Sequence, residues 1–318
     1  MNINSEEDLL AIIDKHFPVD APSLELGRGD DCAVLSHHGS LCVSSDLFLE
    51  DIHFRRSYFS PQDIGYKALA VNISDIAAMG GRSMAFTMDL MAPADLDDTF
   101  WNQLFSSMAA LARQNDIPLA GGDLSRSDKL GISISIWGTA GPGGRFIPRT
   151  GSVPGDILFY CGDLGLARTG LSLLESRGTE VRDAYPQAVQ AHLRPKPKAM
   201  VSTLLSAAGP SCLMDVSDGL AKDLPRLLGK DLGADITVTN EMIHEEVIRF
   251  SKETRTSAQE IFMLGGEDYA LLGAASPDTF DSKITTIPGI HILGTTTESD
   301  TVTLNGDEFK LNGFDHFS

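Results

Sequence analysis

Apolar residues occur in two kinds of run along the chain. Short β-branched stretches, LCVSSDLF and GISISIWGTA among them, alternate with longer segments at helical spacing such as PQDIGYKALAVNISDIAAM. The alternation predicts a mixed α/β fold in which strands and helices interleave from the start. The opening MNINSEEDLLAIIDKHF reads as an acidic amphipathic helix. A second helix is expected to open with Ser60 as N-cap, Pro61 in the first helical position and Asp63 two residues later, a variant of the capping box.

The later part repeats the style. ILFYCG and SCLMDVS read as strands, and ARTGLSLLES and KDLPRLLGK as helices, with a polar segment containing HLRPKPKA among them. Between the two halves, GPGGRFIPRTGSVPGD (141–156) holds five glycines and three prolines. Such punctuation ends regular structure, so a domain boundary is expected there, dividing residues 1–148 from 149–318.

Composition narrows the functional classes. With 318 residues, 42% of them hydrophobic, the chain can bury a substantial core and fits two domains more readily than one. Its 25 Lys and Arg face 44 Asp and Glu, for a net charge of −19. That balance argues against a nucleic-acid partner, whose binding rests on clustered basic residues. A protein this acidic needs metal ions as intermediaries to bind phosphates. Cys32, Cys42, Cys161 and Cys212 show no CxxC spacing and indicate neither a zinc site nor a redox pair. No apolar run approaches the roughly 20 residues that span a bilayer, and the N-terminus lacks a signal-peptide pattern, so a cytoplasmic protein is expected.

The candidate chemistry lies in dispersed carboxylates beside glycines or at strand ends. Asp30 and Asp31 follow Gly27-Arg28-Gly29. Asp46 follows Ser44 and Ser45 in an apolar strand and leads to His53, a candidate phosphate contact. Asn72 and Asp75 share a face of the small-residue helix, and Asp123 follows Gly121 and Gly122. Asp215, Ser217 and Asp218 stand where a strand gives way to a helix, and Gly265-Gly266-Glu267-Asp268-Tyr269 lies between apolar runs. Gly162-Asp163-Leu164-Gly165 is a glycine turn that fits helix packing better than phosphate contact.

Each segment alone is an ordinary turn or cap. Together they set a physical condition: two unit charges 4 Å apart repel by about 4 kcal/mol at an effective dielectric near 20. Several such pairs would rival the ~5–15 kcal/mol stability of a domain, so convergence implies divalent metal. There is no GxxxxGK[ST], no HRD or DFG set and no strand followed by GxGxxG.

The ordered series GRGDDCAVL, SSDLFLEDIHF, GYKALAVNISDIAAMGG, GGD, RTGSVPGD, HLRPKPKA, MDVSDGLAKDL, GGEDY and GFDHF resembles the thiamine-monophosphate kinases over nearly the whole chain. The resemblance implies an aminoimidazole ribonucleotide synthetase-like α/β (α+β) fold. In it an N-terminal metal- and ATP-binding domain forms a barrel with its mate across a homodimer, beside a C-terminal α/β domain. It further implies transfer of the ATP γ-phosphoryl group to thiamine monophosphate, with several Mg2+ ions.

Carried over by motif, Asp30, Ser44, Ser45, Asp46, Asp75, Asp123, Asp215 and Asp218 would hold magnesium. Phe105, Gly122, Asp123, Arg149 and Ser217 would contact ATP, and His53, Glu267 and Phe314 thiamine monophosphate. The resemblance makes Asp46, Asp75, Asp123, Arg149 and Asp218 the catalytic set. Phe105 stands where tyrosine is usual, Ala270 where glutamate is usual, and RTGS replaces RxGA. Because a phosphate oxygen is already deprotonated at pH 7, no catalytic base is needed. The rival readings are a selenophosphate synthetase or hydrogenase-maturation enzyme of the same superfamily, or a non-catalytic metal-binding module. The first 31 residues lack cysteine and the tail is GFDHFS, against the reactive cysteines those two enzymes would want.

Overall fold

The capping box at the second helix forms as the sequence predicts. Asp63 N–H donates to Ser60 Oγ (3.2 Å), and Asp63 Oδ2 accepts from Ser60 N–H (3.1 Å) in a computed structural model that describes residues 5–18, 24–28 and 32–309. The chain divides into two compact units. One comprises Met1–Ile76 and Arg82–Thr139, the other Ala77–Gly81 and Ala140–Ser318.

The first unit begins with α1 (Glu6–His16), which Ser5 caps through a reciprocal pair of bonds with Asp8. A ribbon of β1 (Leu24–Leu26) and β2 (Val34–Leu35) follows. Four further strands are β3 (Leu41–Leu49), β4 (Gly81–Ala92), β5 (Leu119–Arg126) and β6 (Gly131–Ala140), interrupted by helices α2 (Pro61–Ala78) and α3 (Asp98–Gln114). They form a sheet in the order β3-β6-β4-β5, with β3 and β6 antiparallel and β4 and β5 parallel.

Period-2 alternation separates the faces of this sheet. Ile132, Ile134 and Ile136 of β6 are buried beside Phe86 and Met88 of β4. On β3 the opposite alternation leaves Leu41, Val43 and Leu47 exposed, Val43 by 65%. Phe17, Phe86, Trp101 and Phe105 form the aromatic centre of the core.

The second unit is built on a seven-stranded sheet. Its strands are β7 (Ile157–Cys161), β8 (Cys212–Val216), β9 (Gly233–Ile236), β10 (Ala270–Ala275), β11 (Ile290–Thr297), β12 (Val302–Leu304) and β13 (Asp307–Glu308). Their order is β13-β12-β9-β11-β7-β10-β8, and every neighbouring pair is antiparallel except β12 and β9. Between the strands lie α4 (Leu166–Arg177), α5 (Pro186–Leu193), α6 (Ala199–Ala208), α7 (Leu220–Leu228), α8 (Glu245–Thr254) and α9 (Ala258–Leu264). One side of the core gathers Phe159, Leu205, Leu213, Leu271 and Phe280. The central strands β7, β8 and β10 are buried almost throughout, which explains their continuous apolar sequence.

The register of these strands sets the functional end of the sheet. Val216 pairs with Ala270, and Leu271 with Cys161. The exit of β7, the exit of β8 and the approach to β10 therefore meet at one edge. No helix among the described residues is long and apolar enough to cross a membrane.

Candidate active site

In the first unit, alternation along β3 selects which polar residues meet. Ser44 and Asp46 project from one face toward α2, where Ser44 Oγ donates to Asp75 Oδ2. Burial, and after it the charge of Asp75, push the Asp46 carboxyl up to about 6. Two carboxylates and a hydroxyl thus share a half-buried place where both acids cannot ionise cheaply. Hard oxygen donors held against their own repulsion fit Mg2+.

The Ser45 side chain takes another direction. As the residue between, it points from the opposite face, where its hydroxyl bonds Ile134 O (3.2 Å) and Ser135 Oγ (3.0 Å). The Phe105 ring is fully buried, stacked on Trp101 at 5.8 Å and in an edge contact with Phe17 at 6.5 Å.

His53 Nδ1 accepts the Leu49 N–H (3.0 Å), and its ring stacks on Phe48. Asp123 is exposed on β5, paired in register with Asp89 of β4, an acid to which the sequence pattern gives no role. Gly122 before it has φ +153, and a Cβ there would lie 1.8 Å from Met88 O, so only glycine allows this approach of β5 to β4. Arg28 fixes the chain just ahead of Asp30 by donating to Leu119 O (2.9 Å), Phe17 O (2.7 Å) and Asp14 (2.8 Å). Asp30 itself and Phe314 lie outside the described residues.

In the second unit three glycine turns close on one another at the sheet edge. A Cβ on Gly265 would lie 2.4 Å from Gly165 Cα, and one on Gly219 2.9 Å from Gly265 O. The turn at Gly162–Gly165 keeps its helix N-terminus for the protein's own acid. Asp268 accepts the N–H groups of Gly165 (2.6 Å) and Ala167 (2.9 Å), capping α4. Burial raises the Asp268 carboxyl to about 7 despite these bonds. The GGEDY segment is the link from α9 to β10.

Beside it stand Asp215, largely buried in β8, then Ser217 and Asp218. Burial alone would raise the Asp218 carboxyl. Lys222 (3.1 Å) and Arg226 (2.8 Å) outweigh it and hold the group below the usual carboxylate range. Asp223, wholly buried, accepts from Asp218 N–H (2.9 Å) and Arg226 Nη1 (2.8 Å) and so fixes both. Ser217 O accepts the Glu267 N–H (2.7 Å), which binds the GGEDY segment to the same edge.

The backbone of Arg149 lies toward the opposite end of β8. Pro148 before it accepts from Leu213 N–H (3.1 Å) at the beginning of β8, about 13 Å from Ser217 at about 3.3 Å per strand residue. Sequence order could not reveal which end of the strand Arg149 would border. His192, Asp223 and Arg226 also lacked a sequence-level role; Asp223 and Arg226 follow Asp218 by five and eight residues on an amphipathic helix, a spacing that could have found them. Among the described residues no three His, Cys, Asp or Glu side chains gather closely enough to hold a metal by themselves. Magnesium sites that rely on one or two carboxylates and on substrate phosphates have this character.

Comparison with known proteins follows the same lines. Residues 29–140 match the family model AIR synthase related protein, N-terminal domain. The chain is 33% identical to the thiamine-monophosphate kinase of Bacillus subtilis (strain 168) over 85% of its own length and 83% of that protein's. Among solved structures, the thiamine-monophosphate kinase from Stenotrophomonas maltophilia K279a superposes with a TM-score of 0.83 at 28% identity, covering 97% of this chain and 99% of that one. AaThiL complexed with AMPPCP and TMP superposes at 0.78 with 26% identity, covering 98% and 97%.

Proposed function

The chain belongs to the thiamine-monophosphate kinase family, and on that premise we propose that it transfers the γ-phosphoryl group of ATP directly to the phosphate of thiamine monophosphate, yielding thiamine diphosphate and ADP. The observation that carries this reading is the nearly full-length likeness to AaThiL complexed with AMPPCP and TMP, which pairs an ATP analogue with the acceptor.

The residue roles are part of the proposal. Ser44, Asp46 and Asp75, with Asp30, Asp123, Asp215 and Asp218, would hold Mg2+. When bound, magnesium supplies positive charge that lets two phosphate groups approach. Gly122, Asp123, Arg149 and Ser217 are assigned to ATP, and His53, Glu267 and Phe314 to thiamine monophosphate.

The chain's own part is to bind and orient. Gly122 lets backbone approach a ligand closely, and the Glu267 carboxylate complements the cationic thiazolium and amino groups of thiamine. Arg149 would counter charge on the group in transit. The acceptor phosphate oxygen attacks without a protein base, since it is already ionised at neutral pH.

A homodimer completes the proposal. The exposed Leu41, Val43 and Leu47 face of the first unit supports it, because a barrel closed with a second copy would cover these side chains. The first unit is assigned metal and ATP binding as well as dimerisation, and the protein is assigned to the cytoplasm. Purified protein supplied with ATP, Mg2+ and thiamine monophosphate should form thiamine diphosphate and ADP in equal amounts. No thiamine diphosphate at saturating substrates would overturn the reading.

A further inference from the structure

Glu267 is held from behind. Its Oε2 lies 3.1 Å from Nδ1 of His192, a side chain only 2% exposed, while Glu267 itself is 30% exposed. A buried imidazole therefore meets a carboxylate that reaches the surface at the edge where β8 ends and β10 begins.

The backbone around Glu267 is fixed at three points. Its own N–H donates to Ser217 O (2.7 Å), the Tyr269 N–H donates to Val216 O (3.0 Å), and Asp268 between them caps α4. Glu267 and Tyr269 have φ of +62 and +49, a left-handed conformation that non-glycine residues seldom adopt. Such strain persists where the surroundings over-determine it, commonly at ligand-binding segments. With the backbone clamped, the remaining freedom of Glu267 is in its side chain, which His192 meets at 3.1 Å.

His192 is itself built in. It lies in the last turn of α5, whose N-terminus is capped by the buried Glu246 through Ala188 N–H (2.7 Å) and Gln187 N–H (3.3 Å). α4 presses against the same helix at Gly170, where a Cβ would lie 2.0 Å from Ala188 O and 3.1 Å from His192 Cβ. Neither translation nor rotation of α5 can carry the imidazole away without breaking these contacts.

We propose that His192 is a positioning residue for thiamine monophosphate recognition: it orients the Glu267 carboxylate toward the cationic, amine-bearing ring system of the acceptor. The inference rests on the assignment of Glu267 to that substrate. His192 does not touch ATP or the transferred phosphoryl group in this role. Its loss therefore weakens acceptor binding and leaves the nucleotide site and the chemical step intact.

The test compares His192→Phe, His192→Asn, Glu267→Gln and His192→Phe/Glu267→Gln in steady-state kinetics with both substrates varied, alongside thermal melting. Phe keeps the volume and removes the ring nitrogen, whereas the Asn amide can place a nitrogen near Nδ1. The close contact of the imidazole nitrogen with the carboxylate predicts that His192→Phe raises KM for thiamine monophosphate about tenfold or more, with kcat and KM for ATP within about twofold. His192→Asn should stay within about threefold of wild type, and His192→Phe should add nothing to Glu267→Gln. A raised KM in Glu267→Gln but not in His192→Phe overturns the proposal and leaves the Glu267 assignment standing. An unchanged KM in Glu267→Gln overturns that assignment, and the proposal with it. Equal rises in both KM values with a lowered melting temperature would show a purely structural histidine and also overturn it. Should His192→Phe not fold, His192→Asn is set against His192→Gln, whose amide reaches past Nδ1. KM for thiamine monophosphate is then expected to rise only in the glutamine variant, and equal values overturn the proposal.

Discussion

Ser44 Oγ on β3 donates its hydrogen to Asp75 Oδ2 on α2, and this bond joins the elements that carry Asp46 and Asp75. Asp46, two residues along the same face of β3, is raised to about 6 by burial and by the Asp75 charge. Replacing Asp46 by Asn should cut turnover by about 100-fold or more while the protein still folds. Kinetics with a melting curve on the same preparation would check both halves. Wild-type turnover would remove Asp46 from the catalytic set.

The raised Asp46 carboxyl also fixes a pH dependence in the metal-free protein. A carboxyl whose folded pKa lies above its unfolded value of 3.8 favours the folded state while protonated, so this contribution is lost as pH rises from about 4 to about 6. A rise from 3.8 to about 6 separates the two protonation states by about 3 kcal/mol, which sets the order of the effect above pH 6. In EDTA, wild type should gain less melting temperature than Asp46→Asn on going from pH 5 to pH 8, and excess Mg2+ should narrow the gap. Identical pH profiles for the two proteins would contradict the raised Asp46 carboxyl.

Asp218 already has counter-charges at hand in Arg226 and Lys222. A metal binding there competes with both, so Arg226→Gln should tighten Mn2+ or Mg2+ binding about threefold to tenfold at low ionic strength. Calorimetric titration of the nucleotide-free protein reads this directly. Unchanged or weaker binding would show that Asp218 is a structural anchor for α7.

Asp268 joins the GGEDY segment to α4 through two backbone bonds. Asparagine has one acceptor oxygen where aspartate has two, so Asp268→Asn should leave one N–H facing an amide and cost about 1–3 kcal/mol. Denaturant unfolding measures the loss. Because Asp268 is raised to about 7, its ionisation opposes folding from about pH 4 upward, and the penalty for asparagine should be larger at pH 5 than at pH 8.

The exposed apolar side of β3 is a specific claim about assembly. Val43→Glu combined with Leu47→Glu should turn the proposed dimer into a folded monomer in sedimentation experiments, because both side chains are more than half exposed in the single chain. A wild-type monomer, or a dimer unaffected by both charges, would contradict it.

Local patterns were readable where local physics decides them. The Ser60 capping box, β3, β6 and the apolar runs of β7 and β8 all lie where spacing and composition put them. Period 2 also contains the separation of the Ser45 side chain from those of Ser44 and Asp46. Phe105 is different: the helical spacing that places it on the buried face of α3 was readable, but its ring contacts with Trp101 and Phe17 were not. The pairing of Asp89 with Asp123, and of His192 with Glu267, depends on strand register and on helix packing between residues far apart in sequence. No local preference encodes such distances.

Every residue role assigned above depends on direct phosphoryl transfer to a phosphate acceptor. The decisive experiment incubates the purified chain with ATP labelled in the γ-phosphate, Mg2+ and thiamine monophosphate. All transferred label is expected in the terminal phosphate of thiamine diphosphate, with one ADP formed per label transferred. Label recovered only as inorganic phosphate, or no consumption of thiamine monophosphate, would refute direct transfer.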